Sequence, residues 1–180
     1  MTNLISRDSA RLFHWNVRVV TLAALVVALF VRLCADALPD EVVSFAFMRP
    51  AAHLAALYLG TAFDASTMTI AARGVTVEVV RACSATDFFS MVAALLAFTM
   101  PIRSIAPRIL ASIAAAWLVA VLANAVRLIL LVFADGFFPG SQLPAVHMAI
   151  GIAVFLPVFA TLWYNMIVRK ENRNGNASEK

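Results

Sequence analysis

The longest apolar stretch of the chain runs from Ile109 to Ala134 and is broken only by Asn124 and Arg127. A bilayer core takes roughly 20 apolar residues per helical span, so this stretch is long enough to cross one. The rest of the chain follows it: among 180 residues, 63% are hydrophobic and only 13% charged, with mean hydropathy +0.90. Such a composition describes an integral membrane protein and excludes a soluble domain. The length holds roughly four to six spans with short loops. Residues 1–180 therefore read as a single transmembrane domain. The expected fold is an all-α bundle of about four transmembrane helices, with an interfacial or re-entrant helix and a small outward β-hairpin.

Charge is informative by position rather than by sum, since Lys and Arg near span ends set orientation. Arg7, Arg11 and Arg18 precede the first apolar run, Arg103 and Arg108 share one short loop, and Arg169, Lys170, Arg173 and Lys180 follow the last run. These mark the cytoplasmic side, with both termini on it. Asp36, Asp40, Glu41, Asp64, Glu78, Asp87 and Asp135 fall in the alternate segments with Arg32, Arg49, Arg73 and Arg81, which face outward. The net charge of +4 thus reflects membrane topology, and no nucleic-acid partner is expected.

In chain order, residues 1–14 are polar and basic and lie at the cytoplasmic surface. The first span reads Val17–Leu33, followed by Ala35-Asp36-Ala37, which resembles a signal-peptidase site but is read as part of an uncleaved anchor. Residues 42–63 are expected to be interfacial or re-entrant, because Pro50–Phe63 is short and a span there would invert the charge bias downstream. His53 on it reads as a packing or interfacial residue. From Thr67 to Val80 the apolar period becomes two around Arg73-Gly74, the signature of a β-hairpin. Ser84 and Asp87 then approximate a capping box opening a second span that Pro101 stops near Met100. The third span is Ile109–Ala134, an outer loop covers Asp135–Pro144, and the fourth span is Ala145–Val168 with a kink at Pro157. Residues 169–180 read as a disordered cytoplasmic tail.

Three residues fall at one membrane face: Cys83 begins an inward-running helix, Arg127 ends an outward-running one and His147 begins another inward one. At ~1.5 Å per residue, Arg127 lies roughly 27–29 Å from the start of its span. A thiol at a helix N-terminus is biased toward thiolate, and Arg81 adds positive charge beside it. His147 can take the thiol proton and return it to a leaving amine, while Arg127 can steady an oxyanion or a substrate carboxylate. Asn124, one turn earlier, can hold the guanidinium or add a donor. Asp87 reads as a cap or a partner of Arg127. A structural Cys34–Cys83 bridge is the bland alternative for the two cysteines. No cofactor and no metal are expected.

With Cys83-Ser84 opening a span after a β-like segment, Asn124-x-x-Arg127 ending the next and His147-x3-Gly151 beginning the last, the chain resembles the exosortase/archaeosortase family, and the short exosortase K type within it. The resemblance covers roughly residues 17–168. It implies that Cys83, Arg127 and His147 are catalytic and that the site faces outward from a bacterial inner membrane. The implied partners are exported proteins with a C-terminal motif, a transmembrane helix and a basic tail, cleaved through a thioester on Cys83. Ala85 departs from the family, which commonly has Gly after Cys-Ser. Two other readings remain open at this point: a non-enzymatic transport or assembly subunit, and a membrane thiol oxidoreductase, although no vicinal or Cys-x-x-Cys pair is present.

Overall fold

A computed structural model describes residues 25–34, 36–99, 104–135, 137 and 143–165. The expectations for residues 1–14, the start of the first span, Ala35, the basic loop at Arg103, Met100 and Pro101, the centre of the Asp135–Pro144 loop and the tail from Arg169 lie outside the described residues.

The chain is mostly helical. Helix α1 covers Leu25–Cys34, α2 Asp40–Leu59, α3 Thr86–Thr99, α4 Ile105–Asp135 and α5 Leu143–Trp163. Among the described residues, the parts Asp40–Leu59, Ile105–Asp135 and Ala145–Trp163 are long and apolar enough to cross a membrane, and α1 and α3 are shorter apolar helices.

Helix α2 is longer than the segment Pro50–Phe63 led one to expect, because Pro50 does not begin it. The helix starts at Asp40 and passes through a π-helical stretch, Ser44–Met48, immediately before Arg49 and Pro50. Proline has no N–H, so the carbonyl four residues back loses its helical partner. That carbonyl belongs to Ala46, and the Trp117 indole N–H of α4 donates to it at 2.6 Å. The carbonyl is thereby satisfied, and the helix runs over 20 residues, Asp40–Leu59, longer than Pro50–Phe63 alone suggests. Gly60, left-handed at φ 68°, ends it, with Thr61 N–H bonded to the Ala56 carbonyl and Gly60 N–H to the Leu57 carbonyl. The exposed ring of His53 packs edge-on against Phe63 with centroids 5.0 Å apart, a packing role as expected.

After α2 come three short antiparallel strands, β1 Phe63–Asp64, β2 Thr69–Ala72 and β3 Val75–Glu78, in spatial order β1-β2-β3. The hairpin expected around Arg73-Gly74 is the β2–β3 pair: both turn residues take positive φ, 55° and 79°, as a two-residue primed turn requires. The third strand, β1, was not anticipated; two residues are too few to show a period. Ile70 pairs with both Phe63 and Val77 and is fully buried against the helices.

Helix α4 is the hub. One face, Ala116, Ala120 and Ala123, packs against Phe88, Val92, Ala93 and Leu96 of α3. Small residues let helix backbones approach closely where hydrophobic contrast with lipid supplies little drive. A second face, Val121, Ala125, Leu128 and Leu131, packs against the alanine stripe Ala51, Ala52, Ala55 and Ala56 of α2 and against Ile70 and Val79 of the sheet. Helix α5 is attached differently: 6% of its span window is buried within the protein, against 56% for α4.

Candidate active site

Strand β3 leads through Val79, whose N–H bonds to the Met68 carbonyl at 2.8 Å, into a 3-10 turn at Arg81–Cys83. The turn is closed by Cys83 N–H on the Val80 carbonyl at 2.7 Å and Ser84 N–H on the Arg81 carbonyl at 2.9 Å. Ala85 then takes φ 57°, in the left-handed region, and reverses the chain into α3. Alanine there costs ~1–2 kcal/mol that glycine would not. Cys83 packs in the cluster shared by α2, the sheet and α4, whereas Ala85 packs in the cluster between α3 and α4. The turn therefore bridges the two faces of α4.

Two polar side chains of α4, one turn apart, meet this turn and α5. The fully buried Asn124 donates its side-chain amide to the Cys83 carbonyl. Arg127, 8% exposed, donates through Nη2 to the His147 carbonyl at 3.4 Å and lies 5.8 Å from the centre of the Phe155 ring. Gly151, one turn after His147, makes the room: a Cβ there would sit 3.5 Å from Arg127 Nε and 3.6 Å from Cζ. The half-buried His147 lies within electrostatic reach of Arg127 and Asp135.

Cys83, Arg127 and His147 are thus brought to one end of the bundle, but not as a hydrogen-bonded triad. No hydrogen bond joins the Cys83 thiol to the His147 ring among the described residues. The thiol is 0% exposed, and burial pushes it above the ordinary thiol range, with the Arg127 charge and the backbone at Val80 pulling the other way. This corrects the expectation of a thiol at the mouth of a helix: Cys83 ends a 3-10 turn, and Ser84 and Ala85 stand between it and the first residue of α3.

Three supporting residues also sit differently from expectation. Arg81 does not serve the thiol; its guanidinium holds the Asp40 carboxylate and the carbonyls of Asp36 at 3.1 Å and Leu38 at 3.4 Å. Asp87 pairs with Arg32, 3.2 Å away, rather than with Arg127. The capping box does not form, since the Ser84 hydroxyl meets that of Thr86 at 3.1 Å instead. Long-range partners such as Asp40 and Arg32 leave no local sequence spacing to read. Cys34 and Cys83 are both free thiols, one exposed and one buried.

One cavity adjoins the turn and a second lies next to it. A polar one of about 410 Å³ is lined by Arg32, Asp36, Arg81, Ser84, Thr86 and Asp87. An apolar one of about 390 Å³ lies between α3 and α5, walled by Met91, Met148, Ile152, Leu156 and Phe159, with His147 at its edge. Phe88, Arg127 and Phe155 belong to both. The two rings are stacked, with centroids 4.6 Å apart and planes 15° from parallel. No sequence signal distinguished these phenylalanines from ordinary core aromatics.

The family model of the transmembrane exosortases matches residues 17–164, which takes in every element described above. The chain belongs to the transmembrane exosortase family. No curated protein and no solved structure matches it. Within this exosortase-family chain, Ala85 takes a left-handed φ that glycine would adopt at lower cost. Among the described residues, no group of three His, Cys, Asp or Glu side chains is arranged to hold a metal.

Proposed function

We propose that this exosortase-family chain is a membrane-embedded cysteine peptidase or transpeptidase, with Cys83 as nucleophile, His147 as base and acid, and Arg127 as the oxyanion or carboxylate stabiliser. The observation that carries the reading is Arg127: a nearly buried guanidinium whose helix also grips the Cys83 carbonyl through Asn124 and which itself contacts His147. Ionisable residues inside apolar helices are costly and are retained chiefly for function.

The chemistry follows from these groups. His147 takes the Cys83 proton as the thiolate attacks a substrate carbonyl carbon, and the resulting oxyanion is stabilised by Arg127. The C–N bond breaks, the leaving amine recovers the proton from His147, and a thioester remains on Cys83. An acceptor amine or water then attacks the thioester and releases the thiolate, which regains a proton. The thiol is fully buried, so this mechanism requires the Cys83–Ala85 turn to open when substrate enters.

The substrates are exported proteins carrying a C-terminal motif, a transmembrane helix and a basic tail. The site faces outward from a bacterial inner membrane with both termini cytoplasmic, an orientation in which α2 is interfacial or re-entrant rather than a full span, and the chain falls in the short K type of the family. Mapping the C termini of exported proteins in the source cells tests this. Shortened C termini present with the native chain should vanish in Cys83→Ala, Arg127→Ala and His147→Ala. Processing that survives Cys83→Ala would overturn the proposal in favour of a non-enzymatic subunit.

A further inference from the structure

Among the described residues, the polar and apolar cavities share three lining side chains, Phe88, Phe155 and Arg127, and the two rings are stacked face to face. Ser84, immediately after the candidate nucleophile, lines the polar cavity, and the apolar one opens between helices α3 and α5. A ligand that fills both spaces must change from polar to apolar along its length at that contact. A polypeptide leaving a transmembrane helix for an extended polar segment does so.

We infer that the Phe88–Phe155 pair is the neck that sets the register of the substrate, fixing how far beyond its apolar span the bond presented to Cys83 lies. The inference rests on the peptidase reading above and adds specificity residues to it. Phe88, 4% exposed, is anchored in the core between α3 and α4, while Phe155 sits half-buried on the loosely attached α5. The movable side of the neck is therefore Phe155. Arg127 lies under that ring, so the oxyanion-stabilising charge and the register gate share one location. An extended chain advances ~3.3 Å per residue, so the smallest change of register that a reshaped ring can produce is one residue.

The test uses the full chain in its source cells, with Phe155→Leu to widen the neck and Phe155→Trp to narrow it, reading the C termini of exported proteins by mass spectrometry beside native and Cys83→Ala chains. The expected result is that Cys83-dependent C termini move by about one residue in Phe155→Leu, in the opposite direction from any shift in Phe155→Trp. If one variant fails to accumulate, the other decides. Cys83-dependent C termini that are identical in native and accumulating Phe155 chains would overturn the neck while leaving the peptidase reading intact, and would assign the apolar cavity to lipid. C termini that do not depend on Cys83 at all would sink both.

Discussion

Arg127 and Arg81 flank the same turn, and their surroundings are opposite. Arg127 is 8% exposed, lies on the central helix, and reaches a backbone carbonyl of α5 past a glycine. The Arg81 side chain is 44% exposed and ties the turn to Asp40, whose own side chain is 77% exposed. Charge count treats the two alike, but environment does not. An exposed pair contributes ~0–1 kcal/mol, whereas a cation in an apolar interior is expensive unless it is solvated by fixed dipoles, and it acts strongly on charge that develops beside it. The floor of the site is thus where chemistry is expected, and the rim is where the loops are tied down.

That contrast breaks most sharply at Arg127. On the proposed mechanism, Arg127→Ala should lower Cys83-dependent processing by ~10²–10³-fold, and Arg127→Lys should not restore it, because a lysine lacks the planar fork. Equal losses in Arg127→Ala and Arg81→Ala would erase the distinction. The next effect is at Asn124. Asn124→Leu leaves the Cys83 carbonyl without its side-chain donor and should cost about 1–3 kcal/mol, read as lower thermal stability in detergent.

A pH series sharpens the comparison. With Cys34→Ala as background, alkylation of Cys83 should show a midpoint above the ordinary thiol value of about 8.5, since burial holds the proton on. Arg127→Leu should move it higher still, because Arg127 pulls the thiol down; Arg81→Ala should leave it unmoved. The sign for stability follows: the folded thiol keeps its proton to higher pH than the unfolded one. The stability it contributes is complete below the unfolded value and is lost as pH rises through the folded one. A midpoint below 8.5 in the resting chain would contradict the buried position of the sulfur.

Two smaller changes close the series. Ala85→Gly removes a left-handed alanine but adds freedom to the unfolded chain, so a net gain of up to ~1 kcal/mol is expected in thermal unfolding. A loss there would mean that the turn does not hold this φ. Asp87→Ala, which frees Arg32 at an exposed pair, should change stability by under ~1 kcal/mol in thermal unfolding.

Much of the fold was legible because lipid imposes few solutions on an apolar run. The run Ile109–Ala134, the primed turn at Arg73-Gly74 and the last helix could be read from local pattern alone. Of the site, Cys83, Arg127 and His147 share one end of the bundle as their order along alternating helices required. What local pattern did not contain was long-range. The rescue of the Ala46 carbonyl by Trp117 made a span-length helix of α2, where the length of Pro50–Phe63 pointed to a short one. Arg32 and Asp40 hold Asp87 and Arg81, so Asp87 is not the partner of Arg127 and Arg81 is not the charge beside the thiol that their nearness to Cys83 suggested. The sulfur reads as sitting at a helix N-terminus because a 3-10 turn and a helix start look alike over four residues.

The Trp117 hydrogen bond has a mechanical side as well. An indole N–H on the carbonyl that a proline leaves over favours one rotation of α2 about its own axis and one height along α4. It works as an indexing pin. The strands that follow α2, and the turn they hand to Cys83, inherit their phase from it, so an error of one helical step at Trp117 would arrive at the sulfur as a sulfur pointing the wrong way.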